Sequence, residues 1–456
     1  MDWITEIVNW VNSFLWDFLL LFLLCGTGIY FTIRLKFVQI RKFPAACKAV
    51  FGNIKLFGKK ADKDGISSFQ SLATAIAAQV GTGNIAGAAG AIASGGPGAI
   101  FWMWLSAFFG MATIYSEATL AQKYRTTVDG QVAGGPVYYI RGAFKGKFGK
   151  ALAGIFAVLI ILALGFMGNM VQSNSISVAF QTSFGIEPWI VGIIIALIAG
   201  FIFLGGVRRI VSVTEKIVPI MAVFYVIGSL VIIFGNITQI GEALRVIFVG
   251  AFSPSAVMGG VVGISIQSAI RYGVARGLFS NEAGMGSTPH AHALAKVEHP
   301  GDQGLVAMIG VFIDTFIVLT MTALVIIITG VFDNGQTGVE LAQTAFSSFY
   351  QAGGGIFICI SLLFFAFSTI IGWYFFGEQN VKYLFGPKGV RLYALIVVIL
   401  IVVGSVLKVE LVWNLSDFFN SLMVIPNVLG LLALSGVVSK LYKEWETSKK
   451  AGKNKK

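Results

Sequence analysis

The chain consists of long apolar stretches separated by short polar or basic ones. Residues 16–33, 153–168 and 392–406 each stay apolar over most of the length needed to cross a bilayer. A helix crosses the hydrocarbon core with about 20 apolar residues, whereas a transmembrane strand alternates apolar and polar residues over about 10 positions. Continuous runs of this length therefore predict an all-α membrane protein.

Glycine, proline and charged residues divide the apolar sequence into eleven predicted transmembrane helices. These spans are residues 11–33, 66–93, 98–121, 151–180, 189–206, 215–235, 256–279, 304–330, 353–377, 390–407 and 411–437. The first span has no basic residues before it and no small-residue cleavage site after it. We therefore expect a retained helix at 11–33 and not a signal peptide.

The positive charges collect on one side of the eleven predicted spans. The basic segments are residues 34–63, 123–150, 208–216, 271–296, 382–391 and the C-terminal tail at 438–456, whereas Arg245 and Lys408 fall on the opposite side. Cytoplasmic loops of membrane proteins carry an excess of Lys and Arg. This asymmetry predicts a multi-pass protein of the cell (inner) membrane with its N-terminus outside and its C-terminus in the cytoplasm.

Composition excludes several other classes of protein. Of 456 residues, 56% are hydrophobic and 12% are charged, compared with about 25% charged in a soluble domain. The net charge of +12 is explained by topology, and without a basic folded face we expect no nucleic-acid partner. Cys25, Cys47 and Cys359 are too few and too scattered for a disulfide framework or a zinc motif.

Ten spans remain after the first, and they divide into two groups of five, residues 66–235 and 256–437. A repeat with an odd number of spans is inverted in its second copy. A weak internal similarity supports the division, since Gly96-Pro97-Gly98 and Pro300-Gly301 each precede the second helix of a half. We predict one transmembrane domain over residues 1–456, with an extra helix at 11–33 and a basic tail at 438–456.

Two polar, glycine-containing interruptions occur at matching positions of the halves, at residues 79–87 and 267–277. Paired interruptions of this kind mark the binding site of a transporter. Unwound backbone groups cost several kcal/mol each in lipid unless a ligand satisfies them. Amides near Thr82 and Gly83 suit a carboxylate, and carbonyls near Ala77 and Val80 suit a hard cation such as sodium. Close helix packing is the alternative explanation for the glycines.

Three motifs lie at residues 96–110, 81–87 and 276–284. They resemble motifs of the sodium:alanine (or glycine) symporters of bacteria and archaea, and the resemblance extends over nearly the whole chain. This family shares the core of the amino acid, polyamine and organocation transporters. The resemblance implies ten core helices in two inverted repeats, with the first and sixth core helices broken.

The resemblance also implies roles for individual residues. The expected sodium ligands are the carbonyls of Ala77, Val80 and Phe365 and the hydroxyls of Ser368 and Thr369. The resemblance places Thr82 and Gly83 at the substrate carboxylate. The other expected substrate residues follow from their positions and not from the resemblance: Asn84 in the first interruption, Gly273 and Gly277 in the second, Gln172 as a polar residue within an apolar span, and Trp373 about one turn after Thr369. The alternatives are a back-bond to a helix carbonyl for the two hydroxyls, an interhelical hydrogen bond for Gln172, and core packing for Trp373.

Two acidic residues, Glu117 and Asp314, lie within predicted spans, where a charge costs about 2.5 to 3.5 kcal/mol. Asp314 could bind a second cation, relay a proton or pair with Arg271 or Arg276, and we favour pairing or structural anchoring. Glu117 lies nearer the cytoplasmic end, where we expect it to be solvated or paired.

Three histidines, His290, His292 and His299, occur in one predicted loop with a spacing that fits no zinc motif. We expect this loop to be solvated. Because no nucleophile, base and orienting group converge in the sequence, we expect no enzymatic activity.

Together these features predict a sodium-coupled symporter that imports a small neutral amino acid by alternating access. The resemblance implies alanine or glycine as substrate, Na⁺ as coupling ion, no organic cofactor, and the lipid bilayer as surroundings. Proton coupling through Asp314 and Glu117, and uptake of another neutral amino acid such as glutamine or serine, are the main alternatives. A passive channel and a membrane-embedded enzyme are weaker ones.

Overall fold

The computed structural model describes residues 10–52, 65–128, 130–258 and 265–453, and these ranges are mostly helical. The α-helices are α1 Leu20–Arg34, α2 Val38–Arg41, α3 Phe43–Phe51, α4 Ser68–Gln79, α5 Ala88–Gly95, α6 Ala99–Lys123, α7 Pro136–Ala143, α8 Gly146–Ile160, α9 Asn169–Phe184, α10 Pro188–Phe203, α11 Gly206–Gly235, α12 Ile240–Phe252, α13 Pro254–Met258, α14 Ile266–Asn281, α15 Pro289–Ala293, α16 Pro300–Val311, α17 Thr320–Ile328, α18 Gly338–Tyr350, α19 Ala352–Phe385, α20 Gly389–Val406, α21 Val409–Ala433 and α22 Ser435–Lys453.

Shorter elements connect or interrupt these helices. They are the π-helical turns Leu15–Leu19, Gly83–Gly87, Ile161–Gly168 and Phe312–Leu319, the 3₁₀ turn Ile237–Gln239, and the antiparallel strands β1 Thr126–Val128 and β2 Gln131–Ala133. π-turns within helices often occur at functional sites.

Within the described ranges, seven helical stretches are long and apolar enough to cross a membrane. They are Ala99–Lys123, Gly146–Phe184, Gly206–Gly235, Pro300–Ile328, Ala352–Phe385, Gly389–Val406 and Val409–Ala433. The apolar helices α1 and α10 are shorter, with 15 and 16 residues. The helices α12 and α18 lie in segments that the sequence predicted to be loops.

The predicted span 66–93 is broken, as expected. A capping box of Ser67 and Gln70 starts α4, and such a box satisfies the first free amides of a helix. The helix ends at Val80, whose backbone is extended (φ −80°, ψ 92°), and helical geometry resumes with the π-turn Gly83–Gly87. Every residue from Gln70 to Ala89 is buried, so this break lies inside the protein.

The predicted interruption at 267–277 is wrong in its position, because α14 runs unbroken through it. The chain leaves helical geometry at Glu282 (φ 58°), and Gly284 and Gly286 follow with φ of 92° and 81°. Residues 259–264 of the predicted span 256–279 lie outside the described ranges. The second break is therefore at 282–288, between α14 and α15.

The glycines of α14 have a packing role instead. A β-carbon at Gly273 would lie 2.5 Å from the carbonyl oxygen of Ala99, and one at Gly277 would lie 3.0 Å from Ser106 Oγ. Both neighbours belong to α6. Small residues allow two membrane helices to approach closely, which explains glycines in a helix that they would otherwise weaken by about 1 kcal/mol.

Two groups of helices surround the first break. The helix α6 packs against α1, α14 and α16, while α19 packs against α4, α9 and α11. The break at residues 80–82 follows α4, which contacts α19 on one side and α16 on the other. Side chains from both groups can therefore reach the unwound residues.

The predicted basic tail at 438–456 is helical through Lys453, and residues 454–456 lie outside the described ranges. This helix, α22, is attached to the rest of the chain. Trp445 Nε1 donates to Asp302 Oδ1 at 2.8 Å, and Glu446 pairs with Lys42 at 2.6 Å.

Candidate ion and substrate site at the broken helix

Five predicted residues form a cluster of oxygen atoms between α4 and α19. Thr369 Oγ1 lies 3.0 Å from the carbonyl oxygen of Ala77, 3.4 Å from that of Val80 and 3.0 Å from that of Phe365. Ser368 Oγ lies 3.3 Å from the carbonyl of Ala77 and 2.9 Å from that of Phe365. All five residues are buried with no exposed surface.

The composition of this oxygen cluster suits a hard monovalent cation. It offers three carbonyl and two hydroxyl oxygens and no carboxylate, and hard cations bind oxygen ligands of this kind. The two hydroxyls donate to carbonyls here, but a hydroxyl can rotate and turn a lone pair toward a cation. Both hydroxyls back-bond to Phe365 and also reach Ala77 on α4, so the two interpretations of these side chains are compatible.

Gly81 allows this cluster to close. A β-carbon at this position would overlap Thr369 Oγ1 and would lie 3.2 Å from Gln172 Oε1. The residue therefore has to be glycine for the broken helix and α19 to lie so close together.

The amides freed by the break are satisfied by side chains. Gly81 N donates to Asn84 Oδ1 at 2.9 Å, and Thr82 donates to Gln172 Oε1 from its amide at 3.0 Å and its hydroxyl at 2.6 Å. Gln172 thus makes the interhelical hydrogen bond that we considered as its alternative role. Its Nε2 is buried and has no hydrogen-bond partner among the described residues.

Asp314, in the π-turn Phe312–Leu319, connects the broken helix to α14. It accepts hydrogen bonds from Asn84 Nδ2 at 2.7 Å, from Ser280 Oγ at 3.0 Å and from Thr315 Oγ1 at 2.8 Å. The expected pairing with Arg276 is wrong, because Arg276 binds Asp417 at 2.8 Å. Asp314 therefore anchors neighbouring helices through neutral donors.

The ends of α4 and α14 also touch directly. Gln79 Nε2, at the last residue of α4, donates to the carbonyl oxygen of Asn281 at 2.7 Å. Asn281 is the last residue of α14. The two places where helices stop are thus neighbours, although the second lies downstream of the interruption predicted at 267–277.

Aromatic side chains lie beside the unwound residues. Trp373 meets Phe279 edge to face, with ring centroids 5.6 Å apart, and Phe279 lies 4.7 Å from Trp413. Phe279 Cδ1 would lie 3.3 Å from a β-carbon at Gly83. The sequence indicated Trp373 but not Phe279 or Trp413, since aromatic residues are common in membrane helices and only packing distinguishes these two.

The predicted substrate residues fall into two groups. Thr82, Gly83, Asn84 and Gln172 lie at or beside the first break, and Trp373 lies one turn after Thr369 on α19. Gly273 and Gly277 face α6. Sequence reasoning missed Ser280 and Glu282, which follow the wrongly placed interruption. The closely spaced glycines Gly284 and Gly286 just downstream were the sequence signal that could have located the second break, and both adopt positive φ in the structure.

Glu117 is buried, and the expectation that solvent surrounds it is wrong. Its carboxylate accepts from the amides of Gly284 at 3.0 Å and Gly286 at 2.9 Å and from Asn427 Nδ2 at 2.7 Å. These bonds hold the 282–288 break against α6 and α21.

His290 and His292, expected in a solvated loop, are each 1% exposed. His290 Nδ1 lies 2.7 Å from the carbonyl oxygen of Ser287, and Asn380 Nδ2 lies 2.9 Å from His290 Nε2. Burial lowers the pKa of His290 to about 4 and that of His292 to about 3. Both rings are therefore neutral at pH 7. No group of three or more His, Cys, Asp or Glu residues in the described ranges could hold a metal ion.

Comparisons with known proteins identify the family of the chain. A family model described as the sodium:alanine symporter family matches residues 1–456. The sodium/alanine symporter AgcS of Methanococcus maripaludis is 47% identical over 96% of this chain and 96% of its own length. The probable sodium/glutamine symporter GlnT of Bacillus subtilis is 42% identical over 98% of this chain and 92% of its own.

Solved structures with the same fold are more distant in sequence. MhsT in complex with L-phenylalanine superposes with a TM-score of 0.57 at 15% identity, covering 83% of this chain and 89% of MhsT. The Eremococcus coleocola manganese transporter gives a TM-score of 0.54 at 14% identity, covering 81% and 76% of the two chains. The fold is thus one that other membrane transporters use.

Proposed function

Because the chain belongs to the sodium:alanine symporter family, it is a sodium-coupled amino acid symporter, and we propose that alanine or glycine is its substrate. It is a multi-pass protein of the cell membrane. Relatives in the same family are named for glutamine as well as for alanine, so glutamine and serine are the alternative substrates.

The oxygen cluster is the observation that carries the assignment of a sodium site. We propose that Na⁺ binds the carbonyls of Ala77, Val80 and Phe365 and the hydroxyls of Ser368 and Thr369. The five residues come from two helices, and their oxygens lie 2.9 to 3.4 Å from one another where a hydroxyl meets a carbonyl. An ion at this point joins α4 to α19.

In this proposal the substrate carboxylate accepts hydrogen bonds from the amide and hydroxyl of Thr82 and from the amide of Gly83. Gln172 Oε1 accepts both Thr82 hydrogen bonds, so a carboxylate replaces that oxygen. Gln172 Nε2, which is buried without a partner in the described part of the chain, then donates to the carboxylate. Asn84 acts indirectly, because its side chain bonds Gly81 and Asp314.

The aromatic wall supports a small, uncharged substrate side chain. Phe279 lies beside Gly83, Trp373 packs on Phe279, and both side chains are buried, so in this proposal the two rings limit the space for a substrate side chain. No predicted substrate residue carries a charge that would pair with a charged side chain.

We propose alternating access as the mechanism, with residues 66–235 and 256–437 as two inverted five-helix repeats and the helix at 11–33 outside them. The N-terminus lies outside and the C-terminus lies in the cytoplasm. Sodium and substrate share the break after α4, so each stabilises the geometry that the other needs. The membrane potential supplies about 2.3 kcal/mol per charge per 100 mV, which drives uphill uptake.

The test is uptake of a panel of labelled amino acids into proteoliposomes that contain the purified protein. We expect saturable uptake of alanine and glycine that requires an inward sodium gradient and shows counterflow. Uptake that persists with choline in place of sodium at fixed pH would support proton coupling. Preferential uptake of glutamine or serine would change the substrate, and absence of counterflow would indicate a channel.

A further inference from the structure

Glu282 is a buried acidic residue that the proposed transport mechanism does not use. It is the first residue after α14, has no exposed surface and adopts a left-handed conformation with φ 58°. Its amide donates to the carbonyl oxygen of Leu278 at 2.8 Å. Few residues with a side chain adopt this conformation, and here it turns the chain where the second break begins.

The Glu282 carboxylate binds two neutral donors. One oxygen accepts from the indole nitrogen of Trp373 and the other from the hydroxyl of Ser287. The indole N–H is the single polar hydrogen of a tryptophan side chain. This hydrogen bond therefore fixes the direction in which the indole N–H points.

The Trp373 ring lies where three parts of the fold meet. It extends from α19 one turn after Thr369, it meets the Phe279 ring of α14 at an interplanar angle of 89°, and its six-membered ring lies beside Gly168. A β-carbon at Gly168 would lie 2.5 Å from Trp373 Cζ3, so the ring packs against backbone there. Gln172 lies one turn further along the same helix.

We infer that Glu282 is a positioning residue for substrate selectivity, because it holds Trp373 in the orientation that limits the size of the substrate side chain. This role rests on the proposed function, in which Trp373 and Phe279 form the wall beside Gly83. Without its acceptor the indole turns away from Glu282, and the wall moves back from the substrate. Larger neutral side chains then fit, while alanine loses contacts.

The test compares four single variants and one double variant in proteoliposomes. Glu282→Ala removes the acceptor, Glu282→Gln keeps an acceptor oxygen in nearly the same shape, and Trp373→Phe keeps a ring but removes the N–H. Trp104→Phe is the matched control, since Trp104 Nε1 makes a comparable hydrogen bond to Thr320 Oγ1 at 2.8 Å in a different part of the chain. The readout is the ratio of kcat/KM for alanine to that for leucine.

We expect Glu282→Ala and Trp373→Phe each to lower this ratio about tenfold, the scale at which an apolar pocket discriminates one or two methylene groups. The double variant Glu282→Ala/Trp373→Phe should lower the ratio no further than either single variant, because both changes remove the same hydrogen bond. Glu282→Gln and Trp104→Phe should keep the wild-type ratio. The sodium concentration for half-maximal uptake should stay unchanged throughout, since the oxygen cluster is intact.

Two outcomes would overturn the inference. One is a Glu282→Ala protein that slows uptake of every amino acid equally, and the other is a double variant whose effects add. If Glu282→Ala does not fold, the comparison of Trp373→Phe with Trp104→Phe still tests the inference. An unchanged alanine-to-leucine ratio in Trp373→Phe would contradict the role proposed for the hydrogen bond between Glu282 and Trp373. Failure of the proposed function is separate, since it appears as wild-type protein that does not take up alanine or glycine with sodium.

Discussion

Thr369 contributes more contacts to the oxygen cluster than any other side chain described in it. Its hydroxyl lies within 3.4 Å of carbonyls from two helices. This single hydroxyl therefore connects α4 to α19.

Replacement of Thr369 by alanine should weaken sodium binding. Loss of one of five proposed ligands should raise the sodium concentration for half-maximal alanine uptake about tenfold, which corresponds to about 1.4 kcal/mol. Ser361→Ala is the control, because Ser361 lies on the same helix and back-bonds to the carbonyl of Phe357 at 2.8 Å. A Thr369→Ala protein with wild-type sodium dependence would exclude this site.

Gly81 offers a second test at the residue scale. A methyl group there would overlap the Thr369 hydroxyl, so Gly81→Ala should push α4 and α19 apart and reduce sodium-dependent uptake more than about tenfold, since overpacking typically costs about 1 to 3 kcal/mol. Gly154→Ala, in α8, is the matched control because nothing lies within 4 Å of its added carbon. Equal uptake by the two variants would contradict the close approach at Gly81.

At the scale of elements, the short helix α15 and the break before it are held by buried polar groups. Glu117 bonds the amides of Gly284 and Gly286, and His290 bonds Ser287 and Asn380. The neutral state of the histidines makes this region sensitive to acid.

Acidification should destabilise the protein through His290 and His292. Their pKa values fall to about 4 and about 3 in the folded state, below the usual value of about 6.5. Between these values the unfolded chain binds protons that the folded chain does not, so stability falls as pH drops below about 6.5. At pH 5.5 the loss should be about 1 kcal/mol per histidine.

The apparent melting temperature in detergent, compared at pH 7.5 and pH 5.5, measures this effect. The variant His290→Gln/His292→Gln should lose less stability over the same range, because glutamine does not titrate. An identical shift in both proteins would assign the acid sensitivity to other groups.

At the scale of the whole molecule, the distribution of basic residues predicts the orientation. Lys450 lies in α22 and Asn334 lies between α17 and α18, and both are exposed. In a background with Cys25, Cys47 and Cys359 replaced by serine, Asn334→Cys should react with an impermeant maleimide in intact cells. Lys450→Cys should react only after permeabilisation. The reverse pattern would invert the predicted topology.

The class of the protein and the position of the first helix break were readable from sequence. Long apolar runs specify membrane helices, because backbone groups in lipid have to bond within their own segment. The run Val80 to Asn84 indicated a break, since glycines and a short polar side chain weaken a helix locally. The motif resemblance located Ser368 and Thr369, whose oxygens the fold brings to Ala77 and Val80.

Tertiary structure alone decided which interruptions are real and which polar groups meet. Gly273 and Gly277 look like helix breakers in sequence, but α6 packs on them. A glycine that allows close packing and a glycine that breaks a helix look the same in the local sequence. Asp314 meets Asn84 and Ser280, and Glu282 meets Trp373, across separations of 34 to 230 residues. Such contacts depend on how helices pack, and no pattern within a single helix encodes them.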